Sequence, residues 1–379
     1  MLYPPAEIGM AVEDVDTPAL MIDLDAFENN LKTMADAVSR AGAGVVLRAH
    51  SKTHKCPIIA MRQMALGAVG VCCQKVSEAQ AMVDGGVSDV LVSNQVVGRT
   101  KLRRLAALAG QARIGVCADN AANIDDLDAA AREAGQNLSV LVEINVGANR
   151  CGVEPGAPAL TLARQINAAP NLTFGGLQAY HGSAQHLRGF DARREAIVTT
   201  TEMTRETVDL LARDGLECAI VGGAGTGTYQ FEAASGVFNE LQAGSYIFMD
   251  ADYGRNLRAD GGFMNEFENA LFVHATVMSK PGVTHAVLDA GLKAYSVDSG
   301  LPVLRDFPEL DIAGASDEHG KIALTPAFND SNKSIEVGDK VFLIPGHVDP
   351  TVNLYDCYVC YRGDRVEALW PITARGALQ

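Results

Sequence analysis

Val45-Val46-Leu47-Arg48-Ala49-His50-Ser51-Lys52-Thr53-His54-Lys55 begins as an apolar strand former and ends in a cluster of two histidines and two lysines. A buried strand that finishes in ionisable residues is how a parallel α/β barrel presents chemistry at its C-terminal mouth. A lysine beside the low-dielectric barrel interior can lose its proton and attack a carbonyl to form a Schiff base. The plain alternative for Lys52 and Lys55 is a pair of solvated loop charges.

The rest of the chain decides between the two. Short apolar runs recur outward from this stretch: VVLR from Val45, VGVCCQ from Val69, DVLVSN from Asp89, IGVCAD from Ile114, LSVLVEIN from Leu138, FGGLQAYH from Phe174, CAIVGGAG from Cys218 and ELQAGSY from Glu240. Between them lie Ala- and Leu-rich segments of helical period: 57–66, 77–83, 99–109, 121–134, 158–168 and 188–213. Ser77-Glu78 and Asn120 read as helix starts. Eight strand–helix alternations with nearly continuous apolar strands predict a (β/α)8 barrel. A strand at 18–25 precedes the set and belongs elsewhere. After about Asp260 the texture changes to strands separated by Gly and Pro turns, among them ALFVHATVMS, THAVLDAG, KVFLIPGHVD, DCYVCYR and VEALWPI. That predicts a second, mostly antiparallel β domain. The expected division is a barrel over 26–255 and a β domain from 1–25 with 256–379, joined through the Gly- and Asp-rich loop DADYGRNLRADGG.

Bulk properties narrow the function classes. The chain has 379 residues and a net charge of −15, which disfavours a nucleic-acid backbone or an anionic membrane as partner. The start is acidic, without a basic-then-apolar signal pattern, and no apolar run reaches the length of a membrane span. The eight cysteines are scattered, mostly in strand-like runs, and read as reduced core residues of a cytoplasmic protein. Cys357 and Cys360 are spaced as CxxC, but i and i+3 on a strand point to opposite faces, against a metal or redox pair.

Three further motifs carry chemistry. Gly222-Gly223-Ala224-Gly225-Thr226-Gly227-Thr228 follows the seventh strand and Gly244-Ser245-Tyr246 the eighth. Loops at those two positions often cradle a phosphate with backbone N–H groups and hydroxyls, although a lone Gly-rich stretch is also an ordinary turn. A barrel-mouth lysine with a phosphate cradle suggests pyridoxal phosphate. Gln74, Arg150, Tyr180 and His181 close the second, fifth and sixth strands, a ring of donors around an anionic ring cofactor or simply polar strand ends. His347-Val348-Asp349 lies in KVFLIPGHVD; on a strand the two outer side chains share a face and could bind one cation.

In these motifs the chain resembles the D-threonine aldolase and 3-hydroxy-D-aspartate aldolase family, within the fold type III, alanine-racemase-like pyridoxal phosphate enzymes. The matching stretches span nearly the whole chain: RAHSKTHKCP, VGVCCQKVSEA, NRCGV, GLQAYHGSAQH, GGAGTG, ELQAGSYIFMDADYG, DAGLKAYSVDSGLP, SDEHG, PGHVDPTVNLYD and WPITARG. The resemblance implies Lys52 as the Schiff-base lysine, with Gln74, Arg150 and Tyr180 around the cofactor ring. It implies Gly223, Gly225, Thr226, Gly244 and Ser245 at the phosphate, and His347 and Asp349 as ligands of a divalent metal. His347 is also a candidate base for the β-hydroxyl proton. Related D-serine dehydratases carry His-x-Cys and use zinc; Asp349 is a harder ligand, which favours Mn²⁺ or Mg²⁺. The implied reaction is retro-aldol cleavage of a D-3-hydroxy-α-amino acid to glycine and an aldehyde, by a homodimer. Arg255 in the boundary loop is a candidate cation for a substrate's distal carboxylate. A D-serine-dehydratase-like lyase and a non-catalytic pyridoxal phosphate carrier are the alternatives; the second domain with its HxD motif argues against the carrier.

Overall fold

Each of the eight apolar runs forms a strand of one closed parallel barrel. The computed structural model describes residues 4–42 and 44–379. After β1 (Ala19–Asp23) the barrel strands are β2 (Val46–His50), β3 (Gly70–Cys73), β4 (Asp89–Gln95), β5 (Arg113–Ala118), β6 (Leu138–Glu143), β7 (Leu172–Gln178), β8 (Ile220–Gly223) and β9 (Glu240–Leu241). They pair in chain order, and β9 closes on β2. The chain divides into two units: Met34–Gly244 with Asn256–Phe263 and Gly376–Gln379, and the chain up to Thr33 with Ser245–Arg255 and Met264–Arg375.

In the barrel unit the strands are covered on both faces, which is why they read as unbroken apolar runs. The helices between them start where capping chemistry places them. Asn120 accepts the N–H groups of Ala122 and Asn123 at 2.9 and 3.3 Å and opens the helix Ala121–Ala134. The Ser77-Glu78 expectation is off by one: the helix is Val76–Asp84, capped at Lys75 without a side-chain bond. The end of the barrel opposite its mouth is fastened by charge. The buried Arg48 donates to Glu240 at 2.8 Å and to Asp89 at 2.6 Å. Glu240 also accepts from Gln242 at 3.1 Å, and Gln242 exchanges amide bonds with Gln178 at 2.7 and 3.0 Å. A cavity of about 610 Å³ opens among the strand starts here, but its inner charges Arg48 and Glu240 are already paired with each other.

The second unit is built on a nine-stranded sheet. Its strands are β1, β10 (Leu271–Ser279), β11 (His285–Leu288), β12 (Val303–Leu304), β13 (Ile312–Ala315), β14 (Gly320–Ala323), β15 (Lys340–Ile344), β16 (Cys357–Arg362) and β17 (Arg365–Pro371). The main path runs β13-β14-β11-β10-β1-β16-β17, with β15 joining β10 to β12. All these pairs are antiparallel except β1 with β16. The strand expected at 18–25 is β1, in this sheet and outside the barrel. The loop expected around 250–262 contains a one-turn helix, Ala251–Gly254, because Asp250 caps it through the Tyr253 N–H at 2.9 Å. Cys357 and Cys360 are buried on β16 and form no disulfide.

One expectation is corrected here. His347-Val348-Asp349 is not on a strand. β15 ends at Ile344, Pro345-Gly346 breaks it, and His347 caps a short helix, Val348–Val352. Pro350 is tolerated there because N–H groups in a first helical turn have no intrahelical acceptor to serve. The two side chains are therefore one extended residue and one first-turn residue, not neighbours on a pleated face.

Candidate active site

At the barrel mouth the chain leaves β2 through a tight turn. The Ser51 carbonyl accepts the N–H groups of His54 and Lys55 at 3.1 and 2.7 Å. Lys55 closes the turn in the left-handed region, at φ 51°. The two lysines then separate. Lys55 is buried and donates to Glu78 at 2.9 Å. The other Glu78 oxygen accepts the Gln74 N–H at 2.8 Å, tying the loop after β2 to the loop after β3. Lys52 is half-buried, and its backbone N–H faces His50 Nδ1 at 3.4 Å. The Gln74 side-chain amide reaches His50 Nε2 at 2.9 Å. His50 therefore links Lys52 and Gln74 in one cluster.

The Gly-rich loop after β8 is held from behind by Gln185. Its oxygen accepts the Gly227 N–H at 3.0 Å, and its amide donates to Thr228 Oγ1 at 2.8 Å. A Cβ on Gly225 would land on that same Gln185 oxygen, so any larger residue there would have to displace Gln185 from its two hydrogen bonds. Thr226 Oγ1 is buried without a hydrogen-bond partner, and so is Thr53 Oγ1. A Cβ on Gly244 would sit 2.7 Å from Thr53 Oγ1 and 2.9 Å from the His50 carbonyl, which places the loop after β9 beside the Lys52 turn. Buried hydroxyls without acceptors are costly unless a ligand completes them, and phosphate oxygens suit two such donors. Ser245, the next residue, is buried.

Arg150 lies with its guanidinium 5.7 Å from the centre of the Tyr180 ring, a cation–π pair. Burial raises the Glu143 carboxyl above its usual range, against the pull of Gln95, which donates at 2.6 Å, and of the Arg150 charge. Burial also lowers the His181 imidazole and favours its neutral form. Left-handed non-glycine residues gather at this mouth: Lys55, Asn149 at φ 51° and Ala224 at φ 71°. Each costs on the order of 1–2 kcal/mol, which the surrounding loops must offset.

In the β unit, His347 Nδ1 lies 2.7 Å from Asp298 Oδ2. Asp250 accepts the N–H of Val348, the residue between His347 and Asp349, at 3.1 Å. Burial pushes the Asp250 carboxyl up to about 6, its two backbone hydrogen bonds and the His347 charge pull the other way, and the Asp349 charge adds to the rise. An imidazole and a carboxylate form a donor set for a borderline or hard divalent cation. Among the described residues no group of three or more His, Cys, Asp and Glu is gathered as a metal cage, so such a cation would draw its other ligands from water and substrate.

Sequence reasoning missed Glu78 as the partner of Lys55, and it missed His50, Gln185, Asp250 and Asp298. Glu78 lies four residues beyond Gln74 in a quoted motif, so its spacing was a usable signal. Asp298 and Asp250 are 49 and 98 positions from their partners, and no local pattern points to them.

The barrel with its mouth lysine and glycine cradle defines the class. The family of the alanine racemase N-terminal domain matches residues 22–252, and that of a serine dehydratase domain matches 270–361. The chain is 47% identical to a D-threonine aldolase of an Arthrobacter species, over 99% of this chain and 97% of that one. It is 46% identical to a 3-hydroxy-D-aspartate aldolase of Paracoccus denitrificans, over 98% and 95%. A solved D-threonine aldolase from Filomicrobium marinum superimposes with a TM-score of 0.94 at 52% identity, covering 99% of this chain and all of that one. The chain belongs to this family of alanine-racemase-like pyridoxal phosphate aldolases; it is an enzyme of the carbon–carbon lyase type.

Proposed function

We propose that the enzyme uses pyridoxal phosphate and a divalent metal to cleave D-3-hydroxy-α-amino acids, of the D-threonine or 3-hydroxy-D-aspartate type, to glycine and an aldehyde. The observation that supports the site assignment is the position of Lys52 in the turn that follows β2, in one cluster with His50 and Gln74, which suits it to hold the cofactor's carbonyl carbon, while Lys55 is paired with Glu78. Gly223, Gly225, Thr226, Gly244 and Ser245 would hold the phosphate, as the glycine contact at 225 and the orphaned Thr226 hydroxyl support. Gln74, Arg150 and Tyr180 would border the ring. His347 and Asp349 would hold the metal, with Mn²⁺ or Mg²⁺ suiting the harder carboxylate better than Zn²⁺.

When bound, pyridoxal phosphate supplies a sink for the electrons released as Cα–Cβ breaks. The metal supplies a Lewis acid that lowers the pKa of the substrate β-hydroxyl. The protein's own residues orient and screen. The Glu78 bridge holds the loops of Lys52 and Gln74 in register, and His50 sets the Gln74 amide. Burial keeps His181 toward its neutral form at this mouth. His347 has Nδ1 on Asp298, and Nε2 would face the metal, so no ring nitrogen is left to take a proton. That favours ligation over the base role also considered for it. Residues 26–255 would bind the cofactor, and 1–25 with 256–379 would carry the metal pair. A homodimer in the cytoplasm completes the proposal; eight cysteines that form no disulfide suit a reducing compartment.

The test is product analysis with D-threonine, L-threonine and 3-hydroxy-D-aspartate, beside borohydride trapping and peptide mapping. Glycine and aldehyde from the D substrates, with label on Lys52 that disappears in Lys52→Ala, are expected. Keto acid and ammonia would make the enzyme a dehydratase, and label on Lys55 would overturn the lysine assignment.

A further inference from the structure

We infer that Asp298 is a positioning residue for the metal centre: it fixes the ring orientation and tautomer of His347 so that Nε2 is presented unprotonated to a divalent cation. The inference rests on the metal reading of His347 and Asp349 given above.

The carboxylate is built into place on both oxygens. Asp298 Oδ2 meets His347 Nδ1 at 2.7 Å, with Ser299 Oγ at 3.4 Å as a weaker neighbour. Oδ1 accepts the Ser296 hydroxyl at 2.7 Å. Asp298 thus cannot swing away from the imidazole without giving up the Ser296 bond. Its loop is pressed against the histidine's own segment. A Cβ on Gly346 would land on the Gly300 carbonyl, so only glycine at 346 lets the two backbones meet one residue before His347. Arg255 fastens the loop from outside, donating to the Ser299 carbonyl at 3.1 Å. Asp250 meanwhile holds the Val348 N–H, so backbone and ring of the HxD segment are gripped by different carboxylates.

A carboxylate that accepts from one imidazole nitrogen places the proton there and leaves the other nitrogen's lone pair for a metal. The pair is only partly buried, with side-chain exposures of 27% for His347 and 51% for Asp298, so its worth lies in orientation more than in stability.

The experiment uses the full chain with ¹⁵N-labelled histidine. Without metal, His347 is expected to show a protonated Nδ1 and a bare Nε2. In Asp298→Ala the tautomers should mix, and in Asp298→Asn, whose amide oxygen still accepts from Nδ1–H, the wild-type form should persist. Titration with Mn²⁺ followed by electron paramagnetic resonance should then show affinity about 10–100-fold weaker for Asp298→Ala, with Asp298→Asn between it and wild type. An unchanged tautomer, or Mn²⁺ affinity within twofold of wild type in Asp298→Ala, would overturn the inference while His347→Ala still loses the ion. Undiminished Mn²⁺ binding in His347→Ala would instead overturn the metal reading beneath it.

Discussion

His274 makes the β unit acid-sensitive by a calculable amount. It is 1% exposed on β10, stacked on Phe342 with ring centres 4.5 Å apart, and its Nδ1 has no hydrogen-bond partner. Burial, reinforced by the charges of Lys340 and Arg305, pushes its imidazole from 6.5 down to about 4. Between those values the unfolded chain takes up a proton that the folded chain refuses, so stability falls as the pH falls through that window. At about 1.4 kcal/mol per pH unit, the full loss is roughly 3 kcal/mol, of which about 2 kcal/mol falls between pH 7 and pH 5. His274→Phe keeps the stacking face and removes the titration. Urea unfolding can follow it through Trp370, the single tryptophan, which packs on Phe27 in the same unit. The stability of the variant relative to wild type should improve by about 2 kcal/mol between pH 7 and pH 5. Parallel pH profiles, within about 0.5 kcal/mol, would show that the buried imidazole does not resist protonation and would sink the reasoning.

Glu232 in the barrel unit has the opposite sign: burial lifts its carboxyl from 4.5 to about 7, so the folded state keeps a proton that the unfolded chain releases, and stability falls as the pH rises through that window. Glu232→Gln, which still accepts from Thr228, should remove roughly 3 kcal/mol of that loss in unfolding experiments at pH 4.5 and 7.5. Gly225→Ala should weaken pyridoxal phosphate binding at least tenfold in absorbance titrations, because the methyl group displaces Gln185; unchanged affinity would remove the loop from the cradle. Glu78→Gln should leave Lys55 buried without a counter-charge and cost on the order of 3–5 kcal/mol, read as a lower melting temperature. Arg255→Ala should lower kcat/KM for 3-hydroxy-D-aspartate by about tenfold or more, the worth of one charge-assisted hydrogen bond, and for D-threonine by less. Equal losses would assign Arg255 only to holding the Ser299 carbonyl.

How far the sequence could be read depends on the range of the forces involved. The barrel was legible because each strand is buried on both faces and prints an unbroken apolar run. The strands β12, β13 and β14 were not, because two to four residues carry too little alternation to stand out from a loop. The HxD segment was misplaced because the apolar run Val341–Ile344 drew the strand on past Pro345-Gly346, where the break was visible. Lys52 was legible from its place after a strand, but its separation from Lys55 was not, since Glu78 had to fold back across 23 positions. The grips of Asp298 and Asp250 belong to tertiary structure alone. So do the left-handed backbones of Ala224 and Lys55, whose residue types do not announce them.

Arg48 stands on β2, four residues before Lys52 in the turn that follows, with its guanidinium between Glu240 and Asp89. Successive side chains on a strand face opposite ways, so a slip of one residue would carry Arg48 out of that pairing and strand the buried Glu240 carboxylate, along with the half-buried Asp89. A misthreaded barrel therefore carries a penalty of several kcal/mol before any ligand is present. The strand proofreads its own alignment electrostatically, at the end remote from chemistry. Lys52, proposed above as the Schiff-base lysine, is consequently delivered to its station by folding alone, and the cofactor would meet a chain already committed to one threading.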